Sequence, residues 1–132
     1  MVYKESIKLK LKSQEIGDIT GNIEEIVRKS EIEDGICSIF VMGATGSLIV
    51  NENEPMLIED FKKTLEKISP SKDLYQHMEN AHSHIRSILI GNSQTIPVRK
   101  GELLLGTWQN ILIVNFDSRT REREVIVTVI GE

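Results

Sequence analysis

The sequence contains a single cysteine, Cys37, so the chain cannot form an internal disulfide bond. The apolar neighbours of this residue, in the run GICSIFV, predict a buried thiol that packs as a small apolar side chain and does not react. A chain without disulfides fits a reducing compartment. We therefore expect a cytoplasmic protein.

The sequence also lacks an excess of positive charge and any long apolar run. Its 16 Lys and Arg residues against 20 Asp and Glu give a formal net charge of −4. This balance argues against long-range attraction to nucleic acid. No run approaches the roughly 20 apolar residues of a membrane-spanning helix. The mixed charges in MVYKESIKLK do not predict a signal peptide either, so we expect no nucleic-acid and no membrane partner.

What the sequence does contain is a succession of strand and helix patterns. A length of 132 residues predicts one domain, residues 1–132. Period-two alternation and short apolar runs predict strands over 2–12, 36–42, 47–52, 93–99, 102–117 (one or two strands, broken near Gly106) and 122–130. Three- and four-residue spacing of apolar positions predicts helices over 18–29, 55–68 and 81–90.

The resulting order, β-α-β-β-α-α-β-β-β, places the chain in the mixed α+β class. The small residues 43–46 (GATG) favour a plain hairpin turn, although they would also let a ligand approach the backbone. In the last strand, valines alternate with Ile126, Thr128 and Ile130, so both faces are largely apolar. Such a strand is covered on both sides, and in so small a domain we expect one cover to be another subunit.

All three histidines, His77, His82 and His84, fall within eight positions and are the main candidates for chemistry. Imidazole is a common general base near neutral pH and a common metal ligand. On a helix capped by Asn80, His84 is expected on the protein-facing side, and His82 on nearly the opposite side, at the surface. The spacing matches no recognised zinc pattern, so a structural role for His84 stays open beside a catalytic or metal-binding one.

Seven further residues are candidates for the wall of a pocket: Asn51, Glu52, Ser93, Arg99, Trp108, Gln109 and Arg119. The two arginines and Ser93 suit a phosphate or carboxylate ligand. Trp108 and Gln109 are expected to shape one wall, although core packing is the usual place for a lone tryptophan. Glu52, with Asn51 before it, is expected to close the pocket and is a candidate catalytic residue.

The stretch HMENAHSHIRSILIGNSQTIPVRKGELLLGTWQ resembles the YjbQ-like family, which is sometimes described as secondary thiamine-phosphate synthase. SIFVMGATGSLIVNENEP and FDSRTREREVIVTVIGE resemble the strand–turn–strand and the C-terminal arginine-bearing turn of the same family, so the resemblance covers nearly the whole chain. It implies a small two-sheet α/β sandwich, a homotrimer packed through its sheets, and a pocket near a subunit boundary. The matched pocket residues are His77, Asn80, His82 and His84.

The resemblance further implies a weak, metal-assisted transferase that joins a pyrimidine diphosphate to a thiazole phosphate. The three histidines would hold a divalent ion, zinc or magnesium, or move protons. Two alternatives stay open: a non-catalytic trimer that binds a metal or a small anion, and a metal-dependent phosphate-ester hydrolase. Many members of the family have histidine where this chain has Gly43, and water or Glu52 would take its place here.

Overall fold

The computed structural model describes all residues, 1–132, as eight strands and three helices. The strands are β1 Val2–Leu11, β2 Ile16–Asp18, β3 Asp34–Val41, β4 Gly46–Asn51, β5 Ser93–Arg99, β6 Glu102–Leu103, β7 Asn110–Asn115 and β8 Arg121–Gly131. The helices are α1 Thr20–Ser30, α2 Pro55–Ile68 and α3 Ala81–Ile90. Every element predicted from the sequence is present, and the three-residue strand β2 is the one element that the sequence did not predict.

Two antiparallel sheets form the layers of the fold. The larger has the strand order β1-β8-β3-β5-β6 and the smaller the order β2-β7-β4. This arrangement confirms the predicted mixed α+β sandwich of two sheets. The expected hairpin turn at residues 43–46 is wrong, because β3 pairs with β5 and β8 whereas β4 pairs with β7. Residues 42–45 instead carry the chain from one sheet to the other.

The main core lies between the two sheets and α1. Strand β8, which lies between β1 and β3, has three inward valines, Val125, Val127 and Val129, all fully buried. They belong to one apolar cluster with Ile113 of β7 and Ile23 of α1. Each side chain of this size contributes about 1.5–3 kcal/mol when it is fully buried, so this layer is a main source of stability.

A second, smaller cluster fills the space between the smaller sheet and α2. Leu65 of α2 packs against Val114 and Phe116, with Phe61 at the margin. Strand β7 is therefore covered on both faces, by the larger sheet on one side and by α2 on the other. No helix of the protein is long and apolar enough to cross a membrane.

Candidate functional site

A groove of about 550 Å³ opens where three segments meet: the crossing between the sheets, the start of α3 and the turn before β8. The residues that give it chemical character are Gly43, Asn80, His84, Asp117, Arg121 and Arg123. It is the one groove in which a histidine lies beside two arginines. We therefore treat it as the candidate site.

Arg123 is the buried cation of this groove, with a relative exposure of 5 %. Its Nη2 donates to Thr45 Oγ1 at 2.7 Å and to Asn115 Oδ1 at 2.6 Å. Its Nε is buried without a hydrogen-bond partner. Its Nη1 lies over Gly43, where a Cβ atom would come within 2.6 Å of it. Burial lowers the pKa of Arg123, yet arginine stays charged in proteins, so a positive charge lines the groove with its Nη1 beside Gly43.

Asp117 lies beside this arginine but does not pair with it. Its Oδ2 accepts hydrogen bonds from Arg121 Nε at 3.0 Å and Thr45 Oγ1 at 3.1 Å. Its Oδ1 accepts one from the backbone N–H of Arg119 at 3.1 Å. Burial alone would raise the pKa of Asp117, but these hydrogen bonds outweigh burial and hold it below its ordinary value. Asp117 is therefore a carboxylate at neutral pH, and it fixes Arg121 at the groove.

Asn115 holds both Arg123 and Asp117 in position through hydrogen bonds. It is fully buried at the end of β7, and its Oδ1 accepts from Arg123 Nη2 and, at 3.1 Å, from the backbone N–H of Asp117. Its Nδ2 donates to three backbone carbonyl oxygens, including that of Arg119 at 3.0 Å. A side chain with every bond made has one orientation, so the arginine is already in place before a ligand arrives.

His84 projects into the groove from α3, and no protein group forms a hydrogen bond to its ring. The His77 ring lies edge-on to it, with 5.1 Å between ring centroids. His77 Nε2 is 3.0 Å from Asn80 Oδ1, and Asn80, the N-cap residue of α3, makes no side-chain bond to the helix. The structure thus brings His77, Asn80 and His84 together.

His82 belongs elsewhere, and its predicted place at the surface is wrong, because it is only 8 % exposed. The buried face of α3 consists of Ala81, His82, Ser83, Arg86 and Ser87, whereas Ile88 is 78 % exposed. Burial lowers the pKa of His82, and the nearby positive charge of Arg86 lowers it further. The inward face of this helix is polar, so its apolar residues did not indicate its orientation.

The three histidines therefore do not form one metal centre. His82 lines a different groove from His84, and no group of three or more His, Cys, Asp and Glu residues is placed to hold a metal ion. The donors present do not fit the three-histidine site that the resemblance implies. A divalent metal in this protein stays a prediction, and of the three histidines expected to hold it, His77 and His84 lie together.

A buried arginine fixes α3, and with it His84, to the end of α2. Arg86 Nη2 donates to Glu66 Oε2 at 2.7 Å and to the carbonyl oxygen of Ser69 at 2.8 Å, and its Nε donates to the same carbonyl at 3.1 Å. The backbone N–H of Ser71 and then Arg86 lower the pKa of Glu66 to about 2. Arg86 thus connects the two helices across the polar connection 69–80.

The predicted residues Asn51 and Glu52 lie at the other end of β4. Asn51 is six residues beyond Thr45, which lines the groove, so about 20 Å of extended chain separates them. Asn51 and Glu52 both line an apolar hollow of about 230 Å³ with Leu57 and Phe61. Glu52 therefore lies too far away to take the place expected for it beside Gly43, and Arg123 Nη1 occupies the space over Gly43 instead.

Trp108 and Gln109 also lie away from the groove. Trp108 is 71 % exposed, so it neither packs in the core nor forms a wall of the candidate site. Gln109 turns back on its own loop, where its Oε1 accepts from the backbone N–H of Gly106 at 2.7 Å. This local hydrogen bond fixes a short turn before β7, so neither residue is part of that strand.

The three predicted anion ligands also lie outside the groove. Arg99 pairs in register with Asp34, at the far end of β3. Ser93 is in register with Phe40 and faces outward. Arg119 is exposed and contributes only backbone groups to the site: its N–H donates to Asp117 and its carbonyl oxygen accepts from Asn115. The arginines that line the groove are Arg121 and Arg123 instead.

Sequence reasoning missed Asp117, Arg121 and Arg123, although the last of these left a signal. Arg123 is two residues before Val125, in phase with the inward face of β8. A charged residue at an inward position of a central strand is rarely buried unless it is paired or functional. The alternation of Arg119, Arg121 and Arg123 along the turn and strand is typical of the solvent-facing side of a sheet, so the pattern concealed the burial of Arg123.

Fold and groove together define a small two-sheet α+β protein with an arginine- and histidine-lined site. The chain belongs to the YjbQ family: the family profile described as "UPF0047 protein YjbQ-like" matches residues 5–132. This finding confirms the resemblance noted in the sequence.

Individual relatives match over nearly their full length. A UPF0047 protein of Methanocaldococcus jannaschii is 39% identical, with 100% of this chain and 96% of the relative covered. One from Methanothermobacter thermautotrophicus is 36% identical, with 99% and 94% covered. The crystal structure of a YbjQ-like protein from Sulfolobus solfataricus P2 superposes with a TM-score of 0.91 at 34% identity and covers 100% of both chains. These matches establish the family and the fold, and they assign no reaction.

Proposed function

We propose that the groove beside His84 binds a phosphate-bearing small molecule. The observation that carries this proposal is the buried guanidinium of Arg123, which lines the groove with its Nη1 beside Gly43 and has no ion-pair partner. A buried charge without a partner is costly. The fork geometry of a guanidinium matches phosphate and carboxylate oxygens, so a ligand anion would supply the missing partner.

Two further features of the groove favour an anion. The side chain of Arg121 is 44% exposed, and only its Nε is bonded, to Asp117. Helix α3 begins at the groove, and its cap residue Asn80 makes no side-chain bond to the helix. A helix N-terminus carries a partial positive charge that attracts anions. Both features add positive potential on the side of the groove where Arg123 lies.

His84 gives this groove a group that can move a proton. Its ring is free of protein hydrogen bonds, so it can donate to or accept from a bound ligand. With arginines on a diphosphate, these residues would support the transfer that the resemblance implies, between a pyrimidine diphosphate and a thiazole phosphate. Hydrolysis of a phosphate ester would use the same groups. We extend the proposal to a divalent metal only at the pair His77 and His84, whose rings lie together.

Inorganic phosphate and pyrophosphate are the probes that test the binding proposal. With a Kd of about 1 mM, about 10 mM ligand stabilises the native state by about 1.4 kcal/mol and raises Tm by roughly 4 °C. We expect Arg123→Met to abolish this shift. Arg121→Gln should weaken it, and its shift is measured from its own free Tm, which we expect to fall because the buried Asp117 loses a hydrogen bond. Arg99→Gln, at the far end of the sheet, is the control and should match the unchanged protein.

An unchanged Tm with both probes would contradict the binding proposal. The same proteins, incubated with the two thiamine precursors with and without zinc or magnesium, test turnover. Product that His84→Gln fails to make would support the transferase. Phosphate binding without product would leave the non-catalytic anion-binding alternative. Metal content of the purified protein beside that of a His77→Gln variant tests the metal separately.

We also propose that copies of this chain associate through the outer face of the larger sheet. In one chain that face exposes Ile36, Phe40 and Ile130 at 43 % each, with Val2 at 67 %. Strand register places Val2, Ile130 and Ile36 in one row across β1, β8 and β3. An apolar patch of this kind on a sheet face is typical of an interaction surface. The resemblance implies a homotrimer.

Light scattering measures the association directly. We expect the unchanged protein to have the mass of an oligomer, three chains if the resemblance holds, and Ile36→Lys to shift it toward one chain of 15.0 kDa. Leu74→Lys, at a residue that is 99 % exposed on the connection before α3, is the control and should leave the mass unchanged. A monomeric unchanged protein at micromolar concentration would refute the association.

A further inference from the structure

A second, smaller groove of about 310 Å³ adjoins the first. Both grooves are lined by Gly43, Ala44 and His84. The two therefore meet at the His84 ring and form a bent site with two arms. The arm that contains Arg121 and Arg123 is called here the arginine arm, and the smaller groove the Ile88 arm.

The Ile88 arm differs from the arginine arm in its chemistry. Beyond the three shared residues it is lined by Ser87, Ile88, Gly91 and Asn92, and none of these side chains is ionisable. Ile88 is one helical turn after His84, so the two side chains are neighbours on the same face of α3. Ile88 is 78 % exposed at this position. An apolar wall thus stands directly beside the histidine, opposite the charged arm.

One polar side chain that lines this arm, Asn92, forms no hydrogen bonds within the protein. The hydroxyl of Ser87, in contrast, donates to the carbonyl oxygen of Gly46 at 2.7 Å. The donor hydrogen of the Ser87 hydroxyl is therefore already used within the protein, whereas the Asn92 amide is available to a ligand. An apolar wall with a single polar group is the usual composition of a subsite for an organic body.

We infer that Ile88 and Asn92 form a specificity subsite for the uncharged part of the ligand whose phosphate binds in the arginine arm. This inference rests on the proposed phosphate site. Ile88 packs against the organic body, Asn92 binds its polar edge, and His84 lies at the junction between body and phosphate. A volume of about 310 Å³ is at the lower end of small-molecule pockets, so the body is of the size of one or two rings.

Phenyl phosphate and inorganic phosphate are the probes that test the subsite, with binding measured by calorimetry. We expect phenyl phosphate to bind the unchanged protein about tenfold more tightly, because the ring buries apolar area against Ile88. Ile88→Ser should remove that difference and leave the affinity for inorganic phosphate unchanged. Leu89→Ser, at the next and similarly exposed residue of α3, is the control and should keep the tenfold preference.

The outcomes separate the subsite from the phosphate site. Equal affinities of the unchanged protein for the two probes would overturn the subsite and leave the phosphate site standing. A preference that survives Ile88→Ser would also overturn it, since the ring would then bind elsewhere. Binding of neither probe would refute the phosphate site itself, and the subsite with it.

Discussion

Arg86→Met is expected to lower the free energy of unfolding by about 3 kcal/mol, because it removes one partner of a buried charged network. The Arg86 side chain is 5% exposed, and its loss leaves the buried carbonyl oxygen of Ser69 without two of its donors. Glu66 is 51% exposed and regains water, so we expect the lower end of the range for broken buried pairs. Urea unfolding measures the difference.

Two controls make the Arg86 measurement specific. Lys67→Met removes an exposed cation from the last turn of α2 and should change stability by less than about 0.5 kcal/mol. Arg86→Lys keeps the positive charge but loses the planar guanidinium that donates to both partners. Its loss of unfolding free energy should therefore lie between those of Lys67→Met and Arg86→Met. A loss below about 1 kcal/mol for Arg86→Met would show that the connection 69–80 does not depend on this network.

The pH dependence of stability in acid tests the contribution of Glu66 to the same network. Its pKa is about 2 in the folded protein against an ordinary value of 4.5. A lowered folded pKa means that its contribution is fully present above the ordinary value and is lost as the pH falls toward the folded one. The stability of the unchanged protein should therefore fall between pH 4.5 and about 2. Arg86→Met should lose less over this interval, since Arg86 is one of the groups that lower that pKa.

The strands and helices were predictable because their apolar spacing is regular. Helix α2 runs Pro55–Ile68 and α3 runs Ala81–Ile90. Proline at the start of α2, glycine after the end of α3 and the apolar spacing within both helices predict these bounds. Strand β2 has three residues, too few for a period to show. The pairing of strands was not predictable in the same way. A turn of small residues such as 43–46 serves a hairpin and a crossing between sheets equally well.

The site was predictable only in part, because its main residues break the pattern of their own elements. Helix α3 turns Ser83, Arg86 and His82 inward and Ile88 outward, the reverse of an ordinary amphipathic helix. Buried hydrogen bonds, which the sequence does not display, compensate for this reversal. Arg123 likewise occupies an inward position of β8. Its partner Thr45 is 78 residues away in the sequence, and Asn115 belongs to a strand of the other sheet, so their convergence needed the structure.

Gly43→Ala is expected to weaken pyrophosphate binding more than tenfold and to lower stability by about 1–3 kcal/mol. Gly43 has a φ of +110°, which favours glycine. A Cβ atom there would come within 2.6 Å of Arg123 Nη1, so the guanidinium must move. The new methyl group therefore acts twice, through backbone strain and through displacement of the cation that we propose as the anion ligand.

Gly101→Ala separates these two effects of the methyl group. Gly101 also has a positive φ, +75°, but a Cβ atom there meets nothing within 4 Å. In urea unfolding, Gly101→Ala should lose free energy of unfolding through backbone strain, and it should bind pyrophosphate as tightly as the unchanged protein. If Gly43→Ala retains binding as well, Arg123 is not the partner of the anion and the binding proposal fails. Because a Cβ atom at position 43 and the guanidinium compete for one space, any larger residue there, histidine included, excludes Arg123 from its present position.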